Sequence, residues 1–167
     1  ISPWIVTLEA LLPHRVSGPA QDPQPLPYLQ CSDPWSFDIE LEVTLATNAC
    51  NEPTVIARSN YKHMYWNICQ QIAHHSSNGC PLRVGDLLAS GTISGPTPDS
   101  YGSLLELSWR GTKPLKLENG TSRTFLQDGD CLTLTGISRS SDSCVGFGEV
   151  SGSILPAKID DNLIVNR

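Results

Sequence analysis

Residues 37–45, FDIELEVTL, alternate apolar and polar side chains without a fault. Successive side chains of a strand point to opposite faces, so this period of two places one face on a core and the other in water. A turn-like stretch at 48–53 follows, and TVIA at 54–57 is read as a second strand paired back on the first. The spacing then changes. Tyr61, Met64, Tyr65, Ile68 and Ile72 recur at three- and four-residue steps, which predicts a helix over 59–78, capped by Ser59 or Asn60 and ended by Asn78-Gly79. Beyond Cys80 the pattern returns to strands and turns. Gly85-Asp86, Asn119-Gly120 and Gly129-Asp130 each precede or join runs rich in Leu, Thr, Val or Ile. The echo between GDLLASGTIS and GDCLTLTGIS is read as two turn-then-strand units, not as a repeat architecture. The chain is expected to be mostly β with one principal helix.

Length and composition agree with one domain or a piece of one: 167 residues, 39% hydrophobic, 17% charged, with 13 Gly and 13 Pro. Six of the prolines fall between residues 13 and 34, where they repeatedly remove backbone donors, so 1–35 is expected to be a loop or arm. Residues 36–156 form the expected β-rich body and 157–167 a tail. A net charge of −6 leaves no basic face for a phosphate backbone, so no nucleic-acid partner is expected. No run approaches the ~20 apolar residues of a membrane span, so no membrane partner is expected either. The chain opens on Ile1 and its only methionine is Met64, which suits a processed protein or a fragment. Six cysteines at wide, irregular spacings raise a secreted disulfide framework as one hypothesis, and free thiols in a reducing compartment fit them better.

Four groups of residues carry possible chemistry. Cys69, His74, His75 and Cys80 are of metal-ligating types, but at ~100° per helical residue Cys69 and His74 point ~140° apart and do not converge. One of the two histidines is expected at the surface and the other packed or hydrogen bonded. Glu106, in LLELSW, is read on a strand face beside Leu104, either as a solvated carboxylate or as one partnered by a histidine. SGTISGP at 90–96 could bring bare backbone and hydroxyls to a small ligand, or simply end a strand in a turn. Asn119-Gly120-Thr121 matches a glycosylation pattern but reads better as a hairpin turn.

The strings ISPW, QDPQPLPYL, SNYKHMYWNICQQIAHHSSNGCPLRVGDLLASGTISGP, YGSLLELSWRGTKP, FLQDGD and VGFGEVSG resemble, in order and spacing, the fumarylacetoacetase family in its C-terminal portion. The resemblance runs from Ile1 to about Pro156. It implies a mixed β-sandwich or β-roll, and a cytoplasmic homodimer that hydrolyses the diketo acid 4-fumarylacetoacetate to fumarate and acetoacetate in tyrosine and phenylalanine breakdown. It also implies a divalent ion, Mg2+ or Ca2+, whose Lewis acidity would stabilise the carbanion released from a 1,3-diketone. Carried over residue by residue, the catalytic glutamate, which orients a water-activating histidine, falls on Glu106, and a substrate-binding threonine falls on Thr92. The family's metal ligands and catalytic histidine fall before Ile1, so the chain is expected to be a fragment, inactive alone, with apolar surface that its missing portion covers. The alternative is a catalytically inactive binding or dimerisation module.

Overall fold

The alternating run forms the centre of a four-stranded antiparallel sheet. In the computed structural model, residues 1–48 and 50–158 are described, apart from the side chains of Cys50 and Asn51. Two short strands, β1 (Arg15–Val16) and β2 (Ser36–Phe37), pair with each other near the start. Strand β3 (Glu40–Thr47) pairs along one edge with β4 (Cys50–Asn60). A small hairpin of β5 (Leu115–Lys116) and β6 (Ser122–Arg123) precedes β7 (Cys131–Arg139) and β8 (Cys144–Ser153). The sheet order is β4-β3-β7-β8. Among the described residues all three sheets are antiparallel. The chain is thus mostly β, as expected.

The register sorts the faces. Leu41, Val43 and Leu45 stand opposite Ser59, Ala57 and Thr54 on β4 and Gly136, Leu134 and Leu132 on β7. Leu45 is buried, and burying such a side chain contributes roughly 1.5–3 kcal/mol. The other face carries Glu40 and Glu42, which pair with Arg139 and Arg58. These pairs lie in solvent and contribute little stability. Asp38 and Ile39 break the predicted run, so β2 and β3 are separate strands. The turn at 48–53 is shorter than expected, because β4 already begins at Cys50. Pro53 is tolerated there because β4 lies at the sheet edge.

The helix over 59–78 is corrected at its start. Ser59 and Asn60 belong to β4, held by pairing with Leu41 and Glu40, and ladder bonds outweigh the helical spacing of Tyr61 and Met64. Asn60 does cap, but it caps a single 3-10 turn, Tyr61–His63. The helix α2 proper is Ile68–Ser76, preceded by α1 (Leu8–Leu11). Asn67 and Gln70 form its capping box, satisfying two orphan donors reciprocally. Gly79, at φ +85°, takes the left-handed conformation that ends a helix without a Cβ penalty, as the sequence predicts. Gln70 also ties down the proline-rich segment: its Nε2 donates to Gln21 Oε1 and to the Leu29 carbonyl, both at 2.8 Å.

Of the three Gly-containing turns, two precede strands as expected. Asn119-Gly120 joins β5 to β6, and Gly129-Asp130 leads into β7. Asn119 Nδ2 donates to the buried Thr47 hydroxyl at 2.9 Å, which ties the side chain inward and supports the turn reading over glycosylation. Gly85-Asp86 also turns, but the segment after it has no strand partner among the described residues. Val84 before the turn and Leu87 and Leu88 after it are exposed, since a strand needs a neighbour to bond and a face to bury. All but two residues of the expected 157–167 tail lie outside the described residues.

The start of β7 is fixed by a buried ion pair. Arg123 Nε and Nη2 donate to Asp130 Oδ2 and Oδ1 at 2.8 and 2.9 Å, and the Gln127 N–H adds a bond to Oδ2 at 2.9 Å. Asp130 is 0% exposed. The Arg123 hydrogen bonds hold its carboxyl below the usual carboxylate range, outweighing the opposing effect of burial. We expect Asp130→Ala to lose about 3–5 kcal/mol at pH 7, because it strands a guanidinium that is only 12% exposed. A depressed folded pKa contributes stability above the unfolded value of about 3.9, and that contribution is lost as pH falls through the folded value. Urea midpoints of the wild type and the variant, followed from pH 7 to pH 2, should therefore converge at the acid end. A constant gap would refute the assignment.

Candidate functional site

Of the residues predicted to matter, Thr92 lies on the segment that packs against Gly102, and Glu106 is bonded to Ser94 of that same segment. Glu106 lies on α3 (Leu104–Leu107), not on the strand face that the alternation of LLELSW predicts. A run of five alternating residues is too short to decide between strand and helix, and local capping decides here. Ser103 is the N-cap: its hydroxyl accepts from the Glu106 N–H at 3.3 Å and its carbonyl from the Leu107 N–H at 3.0 Å. Ser103-x-x-Glu106 is the sequence signal that would have found this helix. Trp109 and Arg110, at φ 48° and 57°, close it in left-handed conformations, with the Arg110 N–H on the Leu105 carbonyl at 2.8 Å.

Thr92 sits in the extended segment that approaches Gly102, the residue before the cap. A Cβ on Gly102 would lie 2.5 Å from the Ile93 carbonyl oxygen and 2.8 Å from the Thr92 methyl, so only glycine permits this approach. Ser94 completes the join. It accepts from the Gly102 N–H at 3.1 Å and donates to Glu106 Oε2 at 2.8 Å. Ser103 donates to the same oxygen at 2.9 Å. The half-buried Glu106 then borders an open recess of about 640 Å3 with Tyr101, Leu105, Trp109 and Arg110. Beneath α3, Leu104 and Leu107 face Val43, Leu132 and Leu134 of the sheet across a smaller apolar recess of about 410 Å3.

No histidine lines the Glu106 recess. His14, which the sequence did not single out, is buried between Ser138 Oγ, 2.9 Å from Nδ1, and Ser143 Oγ, 3.0 Å from Nε2. Ser138 donates to the Asp38 carbonyl, so it accepts from Nδ1–H, and Nε2 accepts from Ser143. That is the pattern of a structural histidine. His63 borders a cleft of about 710 Å3 whose cations Arg58, Lys62 and Arg139 are paired with Glu42, Asp38 and Glu40. Burial pushes the Asp38 carboxyl up, but Asn60 and Lys62 outweigh it and hold it below its ordinary value. His74 and His75 are both exposed on α2, so the expected packed member of the pair is not found. Among the described residues no three His, Cys, Asp or Glu side chains form a group that could hold a metal ion, and no ion is assigned to them.

The corner therefore offers a rigidly held carboxylate, acceptor-only when ionised, at the edge of a recess, joined through Ser94 to the segment that carries Thr92. The family described as fumarylacetoacetate (FAA) hydrolase C-terminal matches residues 1–153. The chain belongs to this family. Its boundary falls close to the Pro156 limit of the sequence resemblance. The fumarylacetoacetases of Mus musculus and Arabidopsis thaliana are each 55% identical to the chain over 157 residues, and that of Homo sapiens is 53% identical. Each match covers 94% of this chain, but only 38% of the mouse and human proteins and 37% of the Arabidopsis one. The chain thus spans less than two fifths of the fumarylacetoacetases it matches.

The Gly102 contact can be tested directly. We expect Gly102→Ala to destabilise the protein by about 1–3 kcal/mol, the usual range for forced overpacking, by driving the Ile93 carbonyl away. A thermal unfolding midpoint equal to wild type would mean that the 92–94 segment is free to shift, contrary to the close approach seen here.

Proposed function

We propose that this chain supplies an orienting glutamate, Glu106, and a substrate-contacting threonine, Thr92, to a hydrolase that cleaves 4-fumarylacetoacetate to fumarate and acetoacetate in tyrosine and phenylalanine breakdown. The observation that carries the reading is the fixed carboxylate. In a chain of this family, two serine hydroxyls hold Glu106 beside the segment that carries Thr92. A glutamate so placed does not itself take a proton from water. It accepts the N–H of an imidazole, holds the other ring nitrogen in the basic tautomer, and stabilises the imidazolium that forms. The histidine in question is proposed to lie in the part of the family protein that this chain does not span. The same holds for the ligands of a divalent ion, magnesium or calcium.

In this reading residues 1–167 are the C-terminal portion of a catalytic domain, with 1–35 as an arm, 36–156 as its β-rich body and 157–167 as a tail. The whole enzyme is proposed to be a cytoplasmic homodimer. The five cysteines whose side chains are described, Cys31, Cys69, Cys80, Cys131 and Cys144, are free, which supports a reducing compartment over a disulfide framework. No described helix is long and apolar enough to cross a membrane. The exposed Val84, Leu87, Leu88 and Trp109 support burial against the rest of the enzyme.

The test is a chimera in which this chain replaces the matching segment of the mouse fumarylacetoacetase. We expect it to hydrolyse fumarylacetoacetate, and Glu106→Gln within it to lower kcat by ~10²-fold with KM changed much less, as loss of an acid-base partner does. The 167-residue chain alone should show no hydrolysis. Near-normal turnover by the variant would return Glu106 to a purely structural role, and a folded but inactive chimera would favour a binding or dimerisation module.

A further inference from the structure

Glu106 is the third residue of a helix whose N-cap is Ser103, and in a capping box such a glutamate bonds back to the N-cap backbone N–H. Here only half of the box is made. Ser103 accepts from the Glu106 N–H, while the carboxylate turns away and takes the hydroxyls of Ser103 and Ser94 on one oxygen, Oε2. Ser94 comes from a segment twelve residues earlier and has no part in capping α3. Its hydroxyl has a single proton, which goes to Glu106, and its lone pair takes the Gly102 N–H. The hydroxyl therefore has one orientation. No described residue donates to the second oxygen, Oε1.

We propose that Ser94 and Ser103 are positioning residues that clamp Oε2 and so leave Oε1 as the oxygen that receives the imidazole N–H of the reaction. This deepens the functional reading above and rests on it. A glutamate side chain free to rotate would sample several rotamers and lose part of the benefit of orientation. Two O–H donors on an ionised carboxylate form charge-assisted bonds, stronger than neutral ones, and remove that freedom. The Gly102–Ile93 approach is part of the same device, because it holds the Ser94 backbone within reach of α3. Thr92, two residues before Ser94, is carried by the same segment, so the clamp also sets where the threonine stands relative to the carboxylate.

The test is a double-mutant cycle in the full-length protein carrying this chain, with fumarylacetoacetate as substrate. We expect Ser94→Ala to lower kcat by ~10- to 100-fold, the range for losing a hydrogen bond to a charged group, with KM within about twofold. Ser94→Thr, which keeps the hydroxyl, should recover most of the turnover. In a Glu106→Gln background Ser94→Ala should have little further effect on kcat, because the two act as one unit. Full multiplicative loss in that background would make Ser94 a structural residue and overturn the clamp. So would wild-type kcat for Ser94→Ala when Glu106→Gln is impaired. Near-normal turnover of Glu106→Gln itself would overturn the orienting reading, and the clamp with it. If Ser94→Ala does not fold, Ser94→Cys keeps the size with a weak donor and should show the same kcat loss, while wild-type kcat there would again overturn the clamp.

Discussion

The pairing of β3 on both of its edges is the constraint on which the remaining structure depends. β4 bonds to one edge and β7 to the other, and the side-chain period of two leaves no tolerance for a one-residue slip. A slip would turn Leu45 to water and Glu42 inward. The register that keeps Leu45 buried also carries β4 as far as Asn60, and this delays α2 until Ile68. On the other edge it sets Leu132 and Leu134 beneath α3, so the apolar floor under the candidate site is a consequence of the same pairing.

Polar clamps do much of the positioning on this scaffold. Gln70 ties the proline-rich segment to α2 with neutral amide bonds, Asp130 ties the β6–β7 connection with an ion pair to Arg123, and His14 joins Asp38, Ser138 and Ser143 through hydroxyls. Each buries a polar group only where its partners are already supplied, because an unpartnered one would cost more than the contact returns. The Ser94–Glu106–Ser103 arrangement has the same character at the edge of a recess. Its carboxylate keeps one oxygen without a donor among the described residues, whereas both oxygens of Asp130 are bonded.

Large apolar side chains remain exposed along 84–88 and at Leu105 and Trp109. Together with the share of the fumarylacetoacetases that the chain spans, they support the proposal that the corner around Glu106 is one side of a site. The fold here builds a floor and a fixed acceptor. The complementary groups of the proposed reaction are proposed to lie in the remainder of the family protein.

The sequence by itself determined the β3–β4 hairpin, the end of α2 at Gly79, the turn at Asn119-Gly120, and family membership. Each of these follows from a local period, a local turn residue, or long strings in order. It also pointed to Thr92 and Glu106 through that resemblance. What it could not determine was the start of α2, since Ser59 and Asn60 are compatible with a helix until a neighbouring strand claims their backbone. Nor could five alternating residues show that Glu106 is helical, because the deciding bonds come from Ser103 and, across the chain, from Ser94. The structural role of His14 was equally invisible, its partners lying 124 and 129 residues away. Local spacing can be read from one chain segment at a time, but a hydrogen bond between distant segments exists only once the tertiary fold has brought donor and acceptor within 3 Å or so.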